Sequence, residues 1–227
     1  MRPSPPPLLP QMELGLTDTR PSRVTLSPGA VLLRGFALPE STELLDAILR
    51  LTALSPFRTM QTPGGGRMSV AMSNCGPLGW VTDRSGYRYT PTDPETLAAW
   101  PDMPPAWHAL AARAAKVAGF DNFSPNACLI NRYEPHTRMA LHQDKDEGDF
   151  SQPIVSVSLG LPIVFLWGGL KRSTAPHSIL LEHGDVLVWG GKARLHYHGV
   201  KPLADGIHPL TGRARFNLTF RFVAPRS

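Results

Sequence analysis

Between Arg215 and Phe222 the chain reads RFNLTFRF, so that Arg215, Asn217, Thr219 and Arg221 alternate with Phe216, Leu218, Phe220 and Phe222. A strand sends successive side chains to opposite faces. One face of this segment is therefore wholly apolar, and the other carries two arginines, an asparagine and a threonine. An outer strand whose polar side meets water would account for this segment alone. Three further runs argue for a different placement. Leu129, Asn131 and Tyr133 share a face of CLINRY, His142, Asp144 and Asp146 a face of LHQDKD, and Arg194, His196 and His198 a face of RLHYHG. Charged and hydrogen-bonding side chains on one side of several strands are explained together by a barrel or sandwich with a polar interior pocket.

The rest of the chain gives an α+β order. Residues 1–25 begin MRPSPPPLLPQ and read as a flexible, proline-rich lead-in, which leaves residues 26–227 as one domain. AVLLRGF (30–36) reads as a first strand. STELLDAILRLTAL (41–54) spaces Leu44, Leu45, Ile48 and Leu51 as a helix face, with Ser41 as its N-cap. Residues 62–94 are rich in Gly, Ser, Arg and Tyr and read as loops and short hairpins. PPAWHALAARAAKVAG is a second helix, with prolines at its start and Gly119 at its end. Beyond it come strand-like runs: ACLINRY, RMALHQDKD, IVSVSLGLPIVFLWG, HSILLEHGDVLVWGG and RLHYHGV.

Composition excludes several classes. No apolar run reaches the length of a membrane span, and the N-terminus lacks the apolar middle of a signal peptide. Two cysteines, Cys75 and Cys128, make neither a disulfide framework nor a zinc cluster and suit free thiols in a reducing cytoplasm. A net charge of +5 is compatible with a polyanionic partner.

His142 and Asp144, two apart on a strand, would point the same way. With a third ligand from another strand they form one face of an octahedron, leaving three metal positions for a bidentate co-substrate and O₂. Carboxylate and imidazole suit Fe(II) but also accept Zn, Mn or Ni, and an isolated His-x-Asp is more often two surface residues. The downstream histidines and the arginine strand give the motif its weight. Geometry leaves the third ligand open, because His196 and His198 share a face. Arg grips a carboxylate through a planar fork. A dicarboxylate such as 2-oxoglutarate, chelated at one end, needs its other end neutralised. Arg215 is the candidate for that task, with Arg221 nearer the metal and its Asp ligand. Asn131, Tyr133 and Asn217 complete the expected co-substrate site.

NRYEPHTRMALHQDKDE, IVSVSLGLP, LLEHGDVLVWGG, LHYHGVKPL and RFNLTFR resemble blocks of the bacterial AlkB DNA-repair dioxygenases, in the same order. SPFRTMQTPGGGRMSVAMSNCGPLGWVTDRSGYRYTP resembles their nucleotide-recognition segment. The resemblance covers residues 30–222 and leaves out the proline-rich start. It implies a double-stranded β-helix (jelly-roll) core, helices outside it, and a nucleotide-recognition lid. It implies Fe(II), 2-oxoglutarate and O₂ as cofactor and co-substrates. The implied reaction is oxidative demethylation of N1-methyladenine and N3-methylcytosine, releasing formaldehyde and succinate. The block HGVKPL aligns His198 with the family's third ligand, and His196 stands where the family pattern has an aromatic residue.

A base alkylated at these positions is cationic and pairs poorly, which lowers the cost of flipping it out. Its pocket should offer aromatic faces and a carboxylate. Trp80 is the stacking candidate, His198 the opposite wall, and Asp146 the acceptor for the exocyclic amine. Tyr87, Met72 and Arg172 are further candidate contacts. A core Trp, a gap-filling Met and a solvated Asp are the ordinary readings of these residues. Arg58, Arg67, Arg84, Arg88, Lys145, Lys171 and Arg172 are candidates for phosphate contacts. The expected partner is single- or double-stranded DNA, or RNA, bound by a monomer. Two alternatives remain: a dioxygenase of the same core acting on a protein or small molecule, and a non-catalytic nucleic-acid-binding module.

Overall fold

The alternating segment becomes an interior strand of a seven-stranded antiparallel sheet. The computed structural model describes residues 22–224; most of the proline-rich lead-in lies outside them. Residues 23–25, assigned to that lead-in by sequence, instead begin β1 (Arg23–Ser27), which pairs with β2 (Ala30–Leu33). A turn at 34–37 ends β2 earlier than expected. Helix α1 (Ser41–Leu54) follows a 3₁₀ turn, so Glu40 rather than Ser41 is its N-cap, and no side chain caps it. Next come β3 (Ala71–Cys75), the hairpin β4 (Gly79–Asp83) and β5 (Gly86–Thr90), and helix α2 (Pro105–Ala118). Gly119 ends α2 at φ 97°, a left-handed conformation that glycine adopts without strain. The remaining strands are β6 (Ala127–Tyr133), β7 (Met139–His142), β8 (Ile154–Gly160), β9 (Ile163–Trp167), β10 (His177–Leu181), β11 (Val186–Trp189), β12 (His198–Val200) and β13 (Arg215–Arg221).

The larger sheet has the order β1-β2-β11-β8-β13-β6-β3, and a four-stranded sheet has the order β10-β9-β12-β7. Their facing sides share one apolar cluster, which joins Leu32, Leu129 and Trp189 of the first sheet to Phe165, Trp167 and Val200 of the second. The other side of the larger sheet is covered by the helices. Leu44, Ile48, Trp107 and Leu110 pack there against Ile130, Val157, Leu218 and Phe220. This is the expected jelly-roll core with helices outside. The apolar face of β13 meets the helices. Its polar face lies between the sheets, where Arg215, Asn217, Thr219 and Arg221 are all buried. The water-facing reading of that strand is therefore excluded.

Two sequence-assigned strands are shorter than expected. β7 stops at His142, because the backbone beyond it is braced by side chains. Arg194 donates to the Asp144 carbonyl at 2.7 Å, and Gln143 donates to the Leu195 carbonyl at 2.6 Å. RLHYHGV does not begin as a strand, since Arg194 N and His196 N close turn bonds to Gly191 and Ala193. Part of the 62–94 stretch belongs to the core: β3, expected among loops, is the edge of the larger sheet and pairs with β6.

The ends of this segment are clasped. Asp93, 1% exposed, forms a two-pronged ion pair with Arg58 and accepts from Ser55 Oγ at 2.8 Å. Burial opposes ionisation of Asp93, but the Arg58 contacts outweigh it and hold the carboxyl below the usual carboxylate range. A depressed carboxyl contributes stability that is present above its unfolded pKa of about 3.9 and lost as pH falls through the folded value. Urea unfolding of Asp93→Asn is accordingly expected to show a weaker loss of stability below about pH 4 than the parent chain.

Candidate metal centre and base pocket

His142 and His198 are register partners on β7 and β12. The two strands come close there because Gly199 follows the second histidine. A Cβ at Gly199 would lie 2.7 Å from the Met139 carbonyl oxygen. Asp144 reaches in from the loop after β7. Its Oδ1 is 3.6 Å from His142 Nε2, and its Oδ2 is 3.8 Å from His198 Nε2. One ligand atom from each of His142, Asp144 and His198 falls within 4.8 Å of the others, and this is the metal-capable group among the described residues.

The histidines are oriented for this geometry. Nδ1 of His142 lies 2.9 Å from the Ala140 carbonyl, and Nδ1 of His198 lies 3.0 Å from the His196 carbonyl. A carbonyl only accepts, so each Nδ1 carries a proton, which leaves Nε2 as the nitrogen that faces Asp144 and is placed to bind a metal. Burial lowers the His198 pKa to about 4, helped by His142, and keeps the ring neutral. His196 is outside the group. Its ring stacks on Trp167 at a 5.1 Å centroid distance. Burial also opposes the Asp144 charge, yet the Arg221 guanidinium, the largest opposing influence, keeps the carboxyl ionised. Arg221 is the main partner, with Nη2 at 2.9 Å and Nε at 3.2 Å from Asp144 Oδ2.

Arg215 is the opposite case. It is 2% exposed, its Nη2 donates to Ser158 Oγ at 2.9 Å, and its Nε has no partner. Desolvation lowers its pKa to about 10. A buried guanidinium without a carboxylate is costly unless an anion completes it. Asn131 donates to Asn217 Oδ1 at 3.2 Å, while Asn131 Oδ1 is unpartnered. The Arg215 guanidinium lies 5.2 Å over the Tyr133 ring. Two imidazoles, one carboxylate and a nearby uncompensated cation suit a divalent metal with an anionic co-substrate.

A cavity of about 440 Å³ is lined by these residues and also by Met72, Trp80, Tyr87, Asp146 and Arg172. Trp80 and Tyr87 stack at 5.6 Å, and Trp80 Nε1 donates to Asp146 Oδ2 at 3.1 Å. The expected opposite wall, His198, is only 6% exposed at its side chain and stacks on Phe165 at 5.9 Å. His142, 34% exposed at its side chain, presents the more open ring. Met72 is 1% exposed, in keeping with a core role beside the cavity. Arg172 is exposed, 5.9 Å from the Tyr197 ring. Among the candidate phosphate contacts, Arg58 and Arg88 are held by Asp93 and Asp83, so they are not free cations. Arg67, Arg84, Lys145 and Lys171 are exposed. Sequence reasoning missed Glu147 and Tyr89. Glu147 differs from a surface glutamate only by its neighbours in space, which no local pattern encodes.

The chain belongs to the 2OG-Fe(II) oxygenase superfamily, whose sequence profile matches residues 29–221. Its cofactor is accordingly Fe(II) and its co-substrates 2-oxoglutarate and O₂. Within that superfamily the similarity is to the AlkB dioxygenases. The chain is 56% identical over 204 residues to the alpha-ketoglutarate-dependent dioxygenase AlkB of Escherichia coli K12, covering 90% of this chain and 94% of that protein. It is 55% identical to AlkB of Salmonella typhimurium, covering 92% and 97%. The solved structure of OsALKBH1 matches with a TM-score of 0.75 at 32% identity, covering 88% of this chain and 99% of that one.

Replacing His198 with Ala is expected to weaken Mn(II) binding by more than about 100-fold, the upper range for loss of a mere outer-shell partner. His196→Phe is expected to leave it within about threefold. Calorimetry on the two variants checks this, and the reverse ranking would make His196 the ligand.

Proposed function

We propose that this chain is an Fe(II)- and 2-oxoglutarate-dependent demethylase of alkylated nucleic-acid bases, N1-methyladenine and N3-methylcytosine among them. One observation carries the reading: a single cavity is lined both by the metal-capable group with Arg215 and by Trp80, Tyr87 and Asp146. A dioxygenase of a small dicarboxylate alone would need the first set only. The similarity to the AlkB dioxygenases supports the same substrate class.

In this reading His142, Asp144 and His198 hold Fe(II), which leaves one face of the ion open. Arg221 holds Asp144 through Oδ2 and leaves Oδ1 the freer oxygen. Arg215 takes the distal carboxylate of 2-oxoglutarate, and Asn131, Tyr133 and Asn217 line its place. The bound metal and 2-oxoglutarate would supply the oxidation with O₂ as oxidant: one oxygen atom goes to the N-methyl carbon as a hydroxymethyl group, and the other goes to 2-oxoglutarate, which loses CO₂ and becomes succinate. The hydroxymethyl group then leaves as formaldehyde. Trp80 and His142 hold the flipped base between them, and Asp146 accepts from its exocyclic amine and favours its positive charge. Lys145 and Arg172, at the cavity, and the exposed Arg67, Arg84 and Lys171 meet the phosphate backbone. The reading extends to a monomer acting in the cytoplasm on single- or double-stranded DNA, or on RNA. Cys75 and Cys128 are free thiols, which suits a reducing compartment.

With Fe(II), 2-oxoglutarate and an oligonucleotide bearing N1-methyladenine, the chain is expected to release formaldehyde and restore adenine in equal amounts. Absence of both from metal-loaded protein refutes the reading. Arg215→Met is expected to raise KM for 2-oxoglutarate roughly 10- to 100-fold, the scale of one charge-assisted hydrogen bond of about 1.5–3 kcal/mol. KM for the oligonucleotide should change far less, which a steady-state titration of each substrate resolves.

A further inference from the structure

Glu147 stands three residues beyond Asp144, is 2% exposed and belongs to none of the roles above. Three donors converge on its carboxylate. Tyr89 donates its hydroxyl to Oε1 at 2.8 Å, and Arg194 donates Nη2 to Oε2 at 3.0 Å. Arg221 Nε lies 3.4 Å from Oε1. Burial raises the Tyr89 pKa well above the ordinary phenol value, so its hydroxyl keeps the proton it donates.

The two arginines have evident structural tasks. Arg194 also donates to the carbonyls of Asp144 and Gln152, at 2.7 and 3.0 Å, and so braces the loop that carries Asp144 and Asp146. Arg221 also holds Asp144. Two guanidiniums against two carboxylates already balance the charge of this dry cluster. Tyr89 is not needed for that balance. It comes from β5, which pairs with β4 in a two-stranded sheet separate from both large sheets. Its register partner across the hairpin is Trp80. Trp80 donates to Asp146 and Tyr89 donates to Glu147. Cross-strand neighbours of the hairpin are thus seated on consecutive carboxylates. Asp146 lines the cavity, and Glu147 lies against the arginine that orients the metal's carboxylate.

We propose that Glu147 is a positioning residue that couples seating of the β4–β5 hairpin to the orientation of Asp144, through Tyr89 on one side and Arg221 on the other. The proposal rests on the demethylase reading of the cavity and gives the hairpin a route to the metal site. Such coupling is reciprocal. A hairpin held on Glu147 favours one placement of Asp144, and a filled metal and co-substrate site favours the seated hairpin.

The test is a binding measurement without turnover. Affinity of the full chain for an oligonucleotide bearing N1-methyladenine is measured without oxygen, with and without Mn(II) plus 2-oxoglutarate. The parent chain is compared with Tyr89→Phe, Glu147→Gln and the double variant. In the parent chain, Mn(II) and 2-oxoglutarate are expected to tighten binding by about fivefold or more. Each single variant should retain less than half of that tightening. The double variant should lose no more than either single, because both changes break the same link. Equal tightening in the parent and in Tyr89→Phe overturns the proposal, as do simply additive losses or no tightening in the parent. A lower melting temperature with the tightening intact makes the contact structural only and also overturns it. Tyr89→Phe decides the matter if Glu147→Gln does not fold. Formaldehyde release by the parent chain tests the demethylase reading separately.

Discussion

The ion pair between Arg221 and Asp144 is the contact around which the two sheets close. Arg221 ends β13 inside the larger sheet, and Asp144 follows β7 at the edge of the smaller one. Removing two charges from water costs several kcal/mol each in practice, and only close geometry with further partners offsets it. Here Nε and Nη2 of Arg221 both hold the carboxylate, so it stays ionised in spite of burial. Arg221 responds in kind. Burial alone would lower its pKa, but the Asp144 charge outweighs burial and raises it. A metal site needs its ligands deprotonated before the ion arrives. The fold meets that need by placing a compensating cation on the far oxygen of the carboxylate.

The other end of the same strand shows the reverse arrangement. Arg215 is as deeply buried as Arg221 but faces Ser158 and an aromatic ring, with no carboxylate of the described residues in contact. One strand thus carries one saturated and one unsaturated guanidinium on a single face. The saturated one cannot bind a ligand anion without giving up Asp144. The unsaturated one is stabilised by such an anion. Alternation alone treats the two arginines alike, and burial with partners separates them.

This separation also marks what the sequence could convey. The two faces of β13 and the like face of β6 were legible because period two persists over a whole ladder; that the register sets Asn131 opposite Asn217 is given by the structure. Helices α1 and α2 were legible from spacing and from Gly119. Ser41 was misread as a cap because a 3₁₀ turn ahead of α1 shifts the boundary by one residue. Residues 23–25 were missed because short edge strands beside a proline-rich stretch carry little pattern. Choosing His198 over His196 needed the family blocks. The structure supplies the physical reason: His196 is turned onto Trp167, while its carbonyl orients the ring of His198. The seven basic candidates were indistinguishable as sequence, since the partners of Arg58 and Arg88 are fixed by folding.

The run RMALHQDKD was read as a strand ending at Asp146, which would put Asp144 and Asp146 on one face with His142; carried one residue further, it would send Glu147 to the other. The ladder in fact ends at His142, and the loop beyond it breaks that constraint. Free of alternation, the three acidic residues serve three different neighbours. Asp144 meets the histidines and Arg221, Asp146 meets Trp80, and Glu147 meets Tyr89 and Arg194. Lys145 between them points out to solvent. A continued strand would have directed these acids to two faces and left Glu147 no route to the arginines behind the cavity. The early end of β7 is therefore what lets one short loop face the two histidines, Trp80 and the β4–β5 hairpin together, and Arg194 is the residue that holds the loop in that state.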